Sequence, residues 1–239
     1  MNDVKPYNNS EKKKTQIINM FNNISETYDL LNLILSFHMD YIWRKKSMQF
    51  IKNNPKKILD IATGTADLAI MAAKYTNAKI IGIDISEKML SFGNKKIKKY
   101  KLSKRISLEL ADAEQLPFKN NSFQAITSGF GVRNFESIDT GLSEMYRVLD
   151  KDGVLIILEP SKPSIFPIKQ CYNIYFTYIL PLLGKIISKD QNAYTYLTNS
   201  VNEFPSRKIF LKKLEKAGFK NCTHTPLTFG IVSLYSAEK

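Results

Sequence analysis

Apolar positions along the chain fall into helical stripes and short runs that alternate in a regular order. From Thr15 to Leu35, Ile17, Ile18, Phe21, Ile24, Tyr28, Leu31 and Leu35 recur at helical spacing, while Asn22, Asn23 and Ser25 weaken the centre. That pattern predicts a helix, a break and a second helix. A third helix is expected from about Asp40 to Ile51, carrying Trp43 and Met48. The period then changes. Ile58-Leu59-Asp60-Ile61 is an apolar run leading into the turn Ala62-Thr63-Gly64-Thr65; Leu68, Met71 and Ala72 return to helical spacing; Lys79-Ile80-Ile81-Gly82-Ile83-Asp84 is a second run ending in an acid. Strand, turn, helix and strand in that length describe a βαβ unit with a right-handed crossover.

The alternation continues downstream. Ser86 is a suitable N-cap, with Glu87 in the first turn of a helix running through Met89 and Leu90 toward Ile97. Strands are expected at Ile106–Leu110, Phe123–Ser128 and Val154–Glu159, with a helix from about Ser137 to Leu149 and the turn Asp150-Lys151-Asp152-Gly153 before the last strand. A final helix, about Ser206 to Ala217, is ended by Gly218. Phe219–Pro226 and Ile231–Ala237 read as an antiparallel pair joined through Gly230. Between the strand ending at Glu159 and the final helix, Pro160, Pro163 and Pro167 precede an apolar and aromatic stretch from about Ile168 to Ile187, whose uncharged core runs from Gln170 to Gly184. That core is shorter than the ~20 predominantly apolar residues of a membrane span, so an inserted helical pair is expected. The whole is an α/β chain with a mostly parallel seven-stranded sheet and a C-terminal antiparallel hairpin. Its expected division is a loose polar leader over 1–14 and one domain over 15–239, with a helical lid over 15–55 and a helical insertion over 165–205.

Composition narrows the setting. The chain has 239 residues, 44% of them hydrophobic, enough for a sizeable core. A mean hydropathy of −0.24 fits a globular rather than a membrane-embedded chain. Cys171 and Cys222 form no close motif, and Met1 to Thr15 is polar with no apolar signal-peptide core, so a cytoplasmic site is expected. The net charge of +13 comes mostly from lysines spread along the chain. Runs such as Lys12-Lys13-Lys14 read first as solvated faces, and second as attraction to an anionic bilayer, giving peripheral contact with a membrane's inner face.

The candidate chemistry gathers where strands end. In a βαβ unit the first turn presents backbone N–H groups and a helix N-terminus to a nucleotide-like ligand. The dinucleotide pattern G-x-G-x-x-G is not met, since only Gly64 is present. S-adenosylmethionine lacks phosphate and carries an ammonium and a sulfonium, which Asp60 suits directly or through water. Gly64 allows close backbone approach, Thr65 offers a hydroxyl and an N–H, and Asp84 is placed to bond a ribose diol. Asp112 is open to two readings: acceptor for an adenine amino group beside the small, flat Ala113, or a turn acid bonded to its own backbone. Gly129-Phe130-Gly131-Val132-Arg133-Asn134-Phe135 follows a central strand at the edge where ligands bind, and Tyr28 and His38 are the chemically useful residues of the lid. No His/Cys cluster has metal-ligand spacing.

Ser25-Glu26-Thr27-Tyr28-Asp29-Leu30-Leu31-Asn32, the loop Leu59 to Asp67, Ser128 to Asn134, Met145-Tyr146-Arg147-Val148-Leu149, Glu159-Pro160-Ser161-Lys162-Pro163 and Tyr194-Thr195-Tyr196-Leu197 are together similar to the motifs of the ubiquinone/menaquinone biosynthesis C-methyltransferases, from about Met20 onward. The resemblance implies a class I S-adenosylmethionine-dependent methyltransferase with a Rossmann-like fold, and assigns cofactor contacts to Thr65, Asp84, Asp112, Ala113 and Ser128. Its family usually has Gly where Thr63 and Ala66 stand. The implied reaction carries a methyl group to a ring carbon of a prenylated hydroquinone, demethylmenaquinol or a ubiquinone precursor, with no metal. Arg133 is then the cation for the phenolate oxygen and Asn134 its orienting partner, while Tyr28, His38 or a water held by Arg133 takes the proton. A nucleic-acid methyltransferase is disfavoured because Ser128-Gly129-Phe130-Gly131 replaces the Asp/Asn-Pro-Pro-aromatic motif that grips a flipped base. No nucleic-acid partner is expected, and an oligomer is compatible with the sequence.

Overall fold

In a computed structural model the described residues are 4–180, 190 and 192–239. Helices α1 (Lys13–Ile24), α2 (Tyr28–Leu35) and α3 (Met39–Ser47) precede the sheet. Strand β1 (Lys57–Ile61) and helix α4 (Asp67–Tyr75) lead to β2 (Lys79–Asp84), α5 (Glu87–Lys99), β3 (Ile106–Leu110), β4 (Phe123–Gly129), α6 (Ile138–Val148) and β5 (Leu149–Pro160). Helix α7 (Ile168–Ile174) runs on as a π-helical turn over Tyr175–Ile179, and α8 (Asn192–Glu203), α9 (Arg207–Lys216), β6 (Lys220–Leu227) and β7 (Val232–Glu238) complete the described chain. The expected insertion helix beyond Leu180 lies outside the described residues.

The seven strands are ordered β3-β2-β1-β4-β5-β7-β6, parallel from β3 to β5, with β7 inserted antiparallel between β5 and β6. Alternation sorts the strand residues between two faces. Ile58 packs with α4 residues and Ile97 on one side, whereas Leu59 and Ile61 join Leu142, Met145 and Phe210 on the other. Such burial stabilises by roughly 1.5–3 kcal/mol per large side chain. The direction reverses at β1 and β4, which leave it from opposite sides, and this switch point is where a doubly wound sheet opens a crevice. A separate apolar cluster joins Ile17, Met20 and Leu31 to Leu180, Tyr194 and Tyr196, so the N-terminal helices and the later helices pack on each other above the crevice.

Three expectations change. The third helix stops at Ser47 and tightens into a 3₁₀ turn over Met48–Phe50. The turn Asp150–Gly153 is absorbed into β5: Phe123 pairs with Leu149 and Ala125 with Val154, the extra residues bulging where Asp152 takes a left-handed φ of 60°. The polar leader is not loose from Val4 on, because the Tyr7 N–H donates to Gln16 Oε1 at 2.8 Å and the Tyr7 hydroxyl donates to Asp190. Among the described residues no helix is long and apolar enough to cross a membrane.

Candidate active site

The β1–α4 turn is built on left-handed backbone: Ala62, Gly64 and Ala66 have φ of 53°, 55° and 68°. An added Cβ at Gly64 would meet nothing within 4 Å, so the turn opens onto free space there. At Gly131 a Cβ would overlap Ala62, which is why the two loops lie close enough to share a cleft. Ala66 explains the family's usual glycine in physical terms. An L-residue in that conformation costs roughly 1–2 kcal/mol, here offset by packing of a fully buried methyl.

Of the residues expected to hold the cofactor, Gly64, Asp84, Asp112 and Ala113 line this cleft, together with Tyr28 and Asn134. Asp84 accepts from the Gly64 N–H at 2.8 Å and the Ser86 N–H at 2.9 Å, and burial raises its pKa above the ordinary carboxylate value. Asp112 does serve as a turn acid, accepting from the Glu114 N–H at 2.9 Å, and its other oxygen accepts from Lys14 Nζ at 2.6 Å. Since a carboxylate has about four acceptor sites, an adenine amino group is still accommodated. These donors and acceptors fit S-adenosylmethionine: a paired acid for a diol, a second acid beside a small residue, and an uncrowded glycine turn.

Three others do not line the cleft. Asp60 is fully buried, accepting from the hydroxyls of Thr63 and Thr127, both at 2.6 Å, and burial pushes its carboxyl up to about 6. It orders the turn from beneath. Thr65 is 2% exposed and donates its hydroxyl to Asp29 Oδ1 at 2.6 Å, so it ties the lid to the turn. Lys96 reinforces that tie, reaching Asp29 at 3.0 Å and Asp67. Ser128 is wholly buried, its hydroxyl without a partner among the described residues.

A second, apolar cavity of about 470 Å³ adjoins the cleft, with Phe21, Tyr28, Phe130 and Asn134 lining both. Its walls come from α1, α2, α3, α7 and α8, and include Trp43, Arg44, Arg133, Tyr172 and Phe176. Arg133 is not the free cation that its loop position suggested. It lies 3.1 Å from Glu159 Oε2 with 9% and 0% of the two side chains exposed, and it also donates to the Phe130 carbonyl. Burial still raises Glu159 above its ordinary pKa. Asn134 Oδ1 accepts from the Tyr196 hydroxyl at 3.1 Å, which leaves its amide NH₂ to donate. Burial raises the Tyr28 phenol above its ordinary pKa, which keeps it protonated at neutral pH. His38 is exposed, stacks on Tyr41 at 5.7 Å, and lines neither cavity.

Sequence reasoning missed Lys14, Asp29, Lys96 and Glu159. Lys14 sits in a lysine run with no periodic signal; Asp29 and Glu159 stand inside the resembling motifs, but their partners lie 36 and 26 positions away.

Solved structures share the architecture. The chain superposes on the [4+2]-cyclase SpnF with a TM-score of 0.65 at 14% identity, covering 95% of this chain and 96% of that one. It matches a Haemonchus contortus phosphoethanolamine N-methyltransferase in complex with S-adenosyl-L-methionine at 0.61 and 15%, covering 83% and 52%. Among curated proteins, the demethylmenaquinone methyltransferase of Bacteroides fragilis is 45% identical over 99% of this chain and 97% of its own length. That of Porphyromonas gingivalis is 38% identical over 99% and 98%, and the ubiquinone/menaquinone biosynthesis C-methyltransferase UbiE of Geotalea daltonii 42% over 95% and 98%. Residues 9–239 match the model of the ubiE/COQ5 methyltransferase family, and with such identity across nearly the full chain the protein belongs to that family.

Proposed function

We propose that the protein methylates a ring carbon of a prenylated hydroquinone, with demethylmenaquinol as acceptor, at the junction of the two cavities. The observation that carries this reading is the joining of a polar, acid-bearing cleft to an apolar cavity of about 470 Å³ through Phe21, Tyr28, Phe130 and Asn134. When bound, S-adenosylmethionine supplies an electrophilic methyl group on its sulfonium. The chain's own work is placement. Asp84 and Asp112 with Ala113 orient the nucleoside part in the cleft, and the aromatic walls of the cavity hold the acceptor ring and tail. Such alignment can lower a barrier by roughly 7–11 kcal/mol in favourable cases.

A ring carbon is a poor nucleophile until the neighbouring oxygen carries negative charge, so donors must meet that oxygen. The Tyr28 phenol and the Asn134 amide are the donors at the junction, and the Arg133 guanidinium adds its field from the cavity wall. A well-placed donor of this kind is worth about 2.7–4 kcal/mol in the transition state. The segment 15–55 acts as a lid over one catalytic domain, the described residues of the 165–205 insertion wall the cavity, and the protein works in the cytoplasm at the inner face of the membrane where its acceptor resides.

Single-turnover transfer from labelled S-adenosylmethionine to reduced demethylmenaquinone, followed by mass analysis, tests the proposal. Methylated naphthoquinol is expected, faster than product from a benzoquinol ubiquinone precursor. Absence of transfer to either acceptor would overturn the assignment, and preference for the benzoquinol would reassign the acceptor.

A further inference from the structure

Large apolar side chains left in solvent are concentrated in one region. Of the fifteen exposed large hydrophobic residues among the described ones, eleven lie on three short segments, 30–42, 165–179 and the turn at Phe229. Those segments also wall the apolar cavity. Phe37 and Phe229 are 76% and 66% exposed yet line the cavity, so they stand at its mouth. Both hold left-handed backbone, with φ of 50° and 57°, a conformation that is uncommon for a bulky residue and normally disfavours it. Their tips are thus kept out of the core at a cost in backbone strain. A soluble surface rarely gathers apolar side chains this way without something to cover them.

On these segments and the residues that flank them at 43–46 and 161–164, the charge left unpaired has one sign. The acids Asp29 and Asp40 are each paired within the protein, to Lys96 and Arg44. The exposed cations Lys45, Lys46, Lys162 and Lys169 have no acidic partner among the described residues. The chain as a whole carries +13. Aromatic and aliphatic tips fringed by lysines are the composition of a surface that lies in the headgroup layer of an anionic bilayer.

We infer that the mouth of the apolar cavity is itself the membrane-docking face, with the segments 30–42 and 165–179 and the Phe229 turn set into an anionic lipid surface so that a prenylated acceptor passes from bilayer to cavity without crossing water. This rests on the reading of the cavity as the acceptor site. It adds the partner of that site and its orientation: the sheet's carboxyl edge, with the Phe229 turn that follows β6, faces the lipid.

The test uses full-length protein, Ile165→Ser/Tyr178→Ser and Lys45→Glu/Lys46→Glu/Lys169→Glu, none of these positions lining the cleft or the cavity. Vesicles of phosphatidylcholine, with and without about one third phosphatidylglycerol, are floated with each protein. Wild type should float with the anionic vesicles and weakly with the neutral ones, and each variant should lose about tenfold or more in vesicle affinity. With long-tailed acceptor embedded in anionic vesicles, kcat/KM should fall in step, while turnover of tail-less 1,4-naphthohydroquinone in solution stays within about twofold. Wild-type vesicle affinity in both variants would overturn the inference, as would a switch from dimer to monomer in sedimentation with vesicle binding unchanged, which would mark the face as a contact between copies. Failure of the wild type to methylate even the tail-less quinol would instead fall on the acceptor assignment and leave the vesicle measurement standing.

Discussion

The Arg133 guanidinium and Glu159 carboxylate are each other's main compensation, 3.1 Å apart and almost wholly buried. Removing one member of such a pair typically costs about 3–5 kcal/mol, because the other is left charged and alone. Arg133→Ala is therefore expected to lose stability by that order as well as activity, while Arg133→Met with Glu159→Leu recovers most of the stability in denaturant titrations. If the folded double variant still loses about 10²–10³ in kcat, the field of Arg133 acts on the acceptor; a stable, fully active Arg133→Ala would remove the residue from both roles. Asp84→Ala should weaken S-adenosylmethionine by about 1.5–3 kcal/mol in calorimetry, the range for hydrogen bonds to a charged group. Asp60 gives a pH signature instead. Its folded pKa of about 6 lies above the ordinary 3.8, so the folded state keeps a proton that the unfolded chain has released. Stability from this group is full below about pH 4 and is lost as pH rises through about 6, by on the order of 3 kcal/mol. Compared with Asp60→Asn, wild type should lose stability over that window, and a pH-independent difference would contradict the assignment.

At the scale of elements, the cap formed by α1–α3, α7 and α8 above the crevice is fastened to the sheet layer by side chains such as Ser86 that serve two partners. The Ser86 hydroxyl accepts from the Met89 N–H at 3.2 Å, capping α5, and donates to Asn22 Oδ1 at 2.8 Å near the end of α1. Ser86→Ala should cost about 1–2 kcal/mol in thermal denaturation, at the upper end for an N-cap because Asn22 Oδ1 also loses its shorter hydrogen bond and keeps only the Lys88 N–H at 3.4 Å. A loss of only a few tenths would mean that water replaces the hydroxyl. Helix starts and stops of this kind were legible: Ser86 and Gly218 stand where their chemistry demanded, Gly218 with a φ of 107°. The end of α3 and the start of β5 were not, since a 3₁₀ turn and a bulge leave almost no mark on hydrophobic periodicity.

At the scale of the molecule, the cap and sheet together make a space that neither makes alone. Phe176 stacks on Tyr172 with ring centroids 4.1 Å apart and lines the cavity. A carboxylate there meets the tail of a prenylated acceptor but little of a bare ring. Phe176→Asp is accordingly expected to raise KM for long-tailed quinols at least tenfold more than for short-tailed ones. Equal losses in steady-state kinetics on both would indicate general damage to the cap.

Order of elements, the C-terminal hairpin, the nucleotide turn with Gly64 and Asp84, and membership of the motif-bearing loop after β4 all follow from the sequence by itself. Each rests on spacing within about twenty residues, where chain geometry leaves few alternatives. Only the tertiary structure decided that Thr65 turns to Asp29, that Lys14 meets Asp112 across 98 positions, and that Arg133 is matched by Glu159. Side-chain partners of that kind depend on where distant elements come to rest against one another. Burial then selects among polar groups that look alike in sequence, because a charge removed from water must find its opposite or a hydrogen bond within about 3 Å.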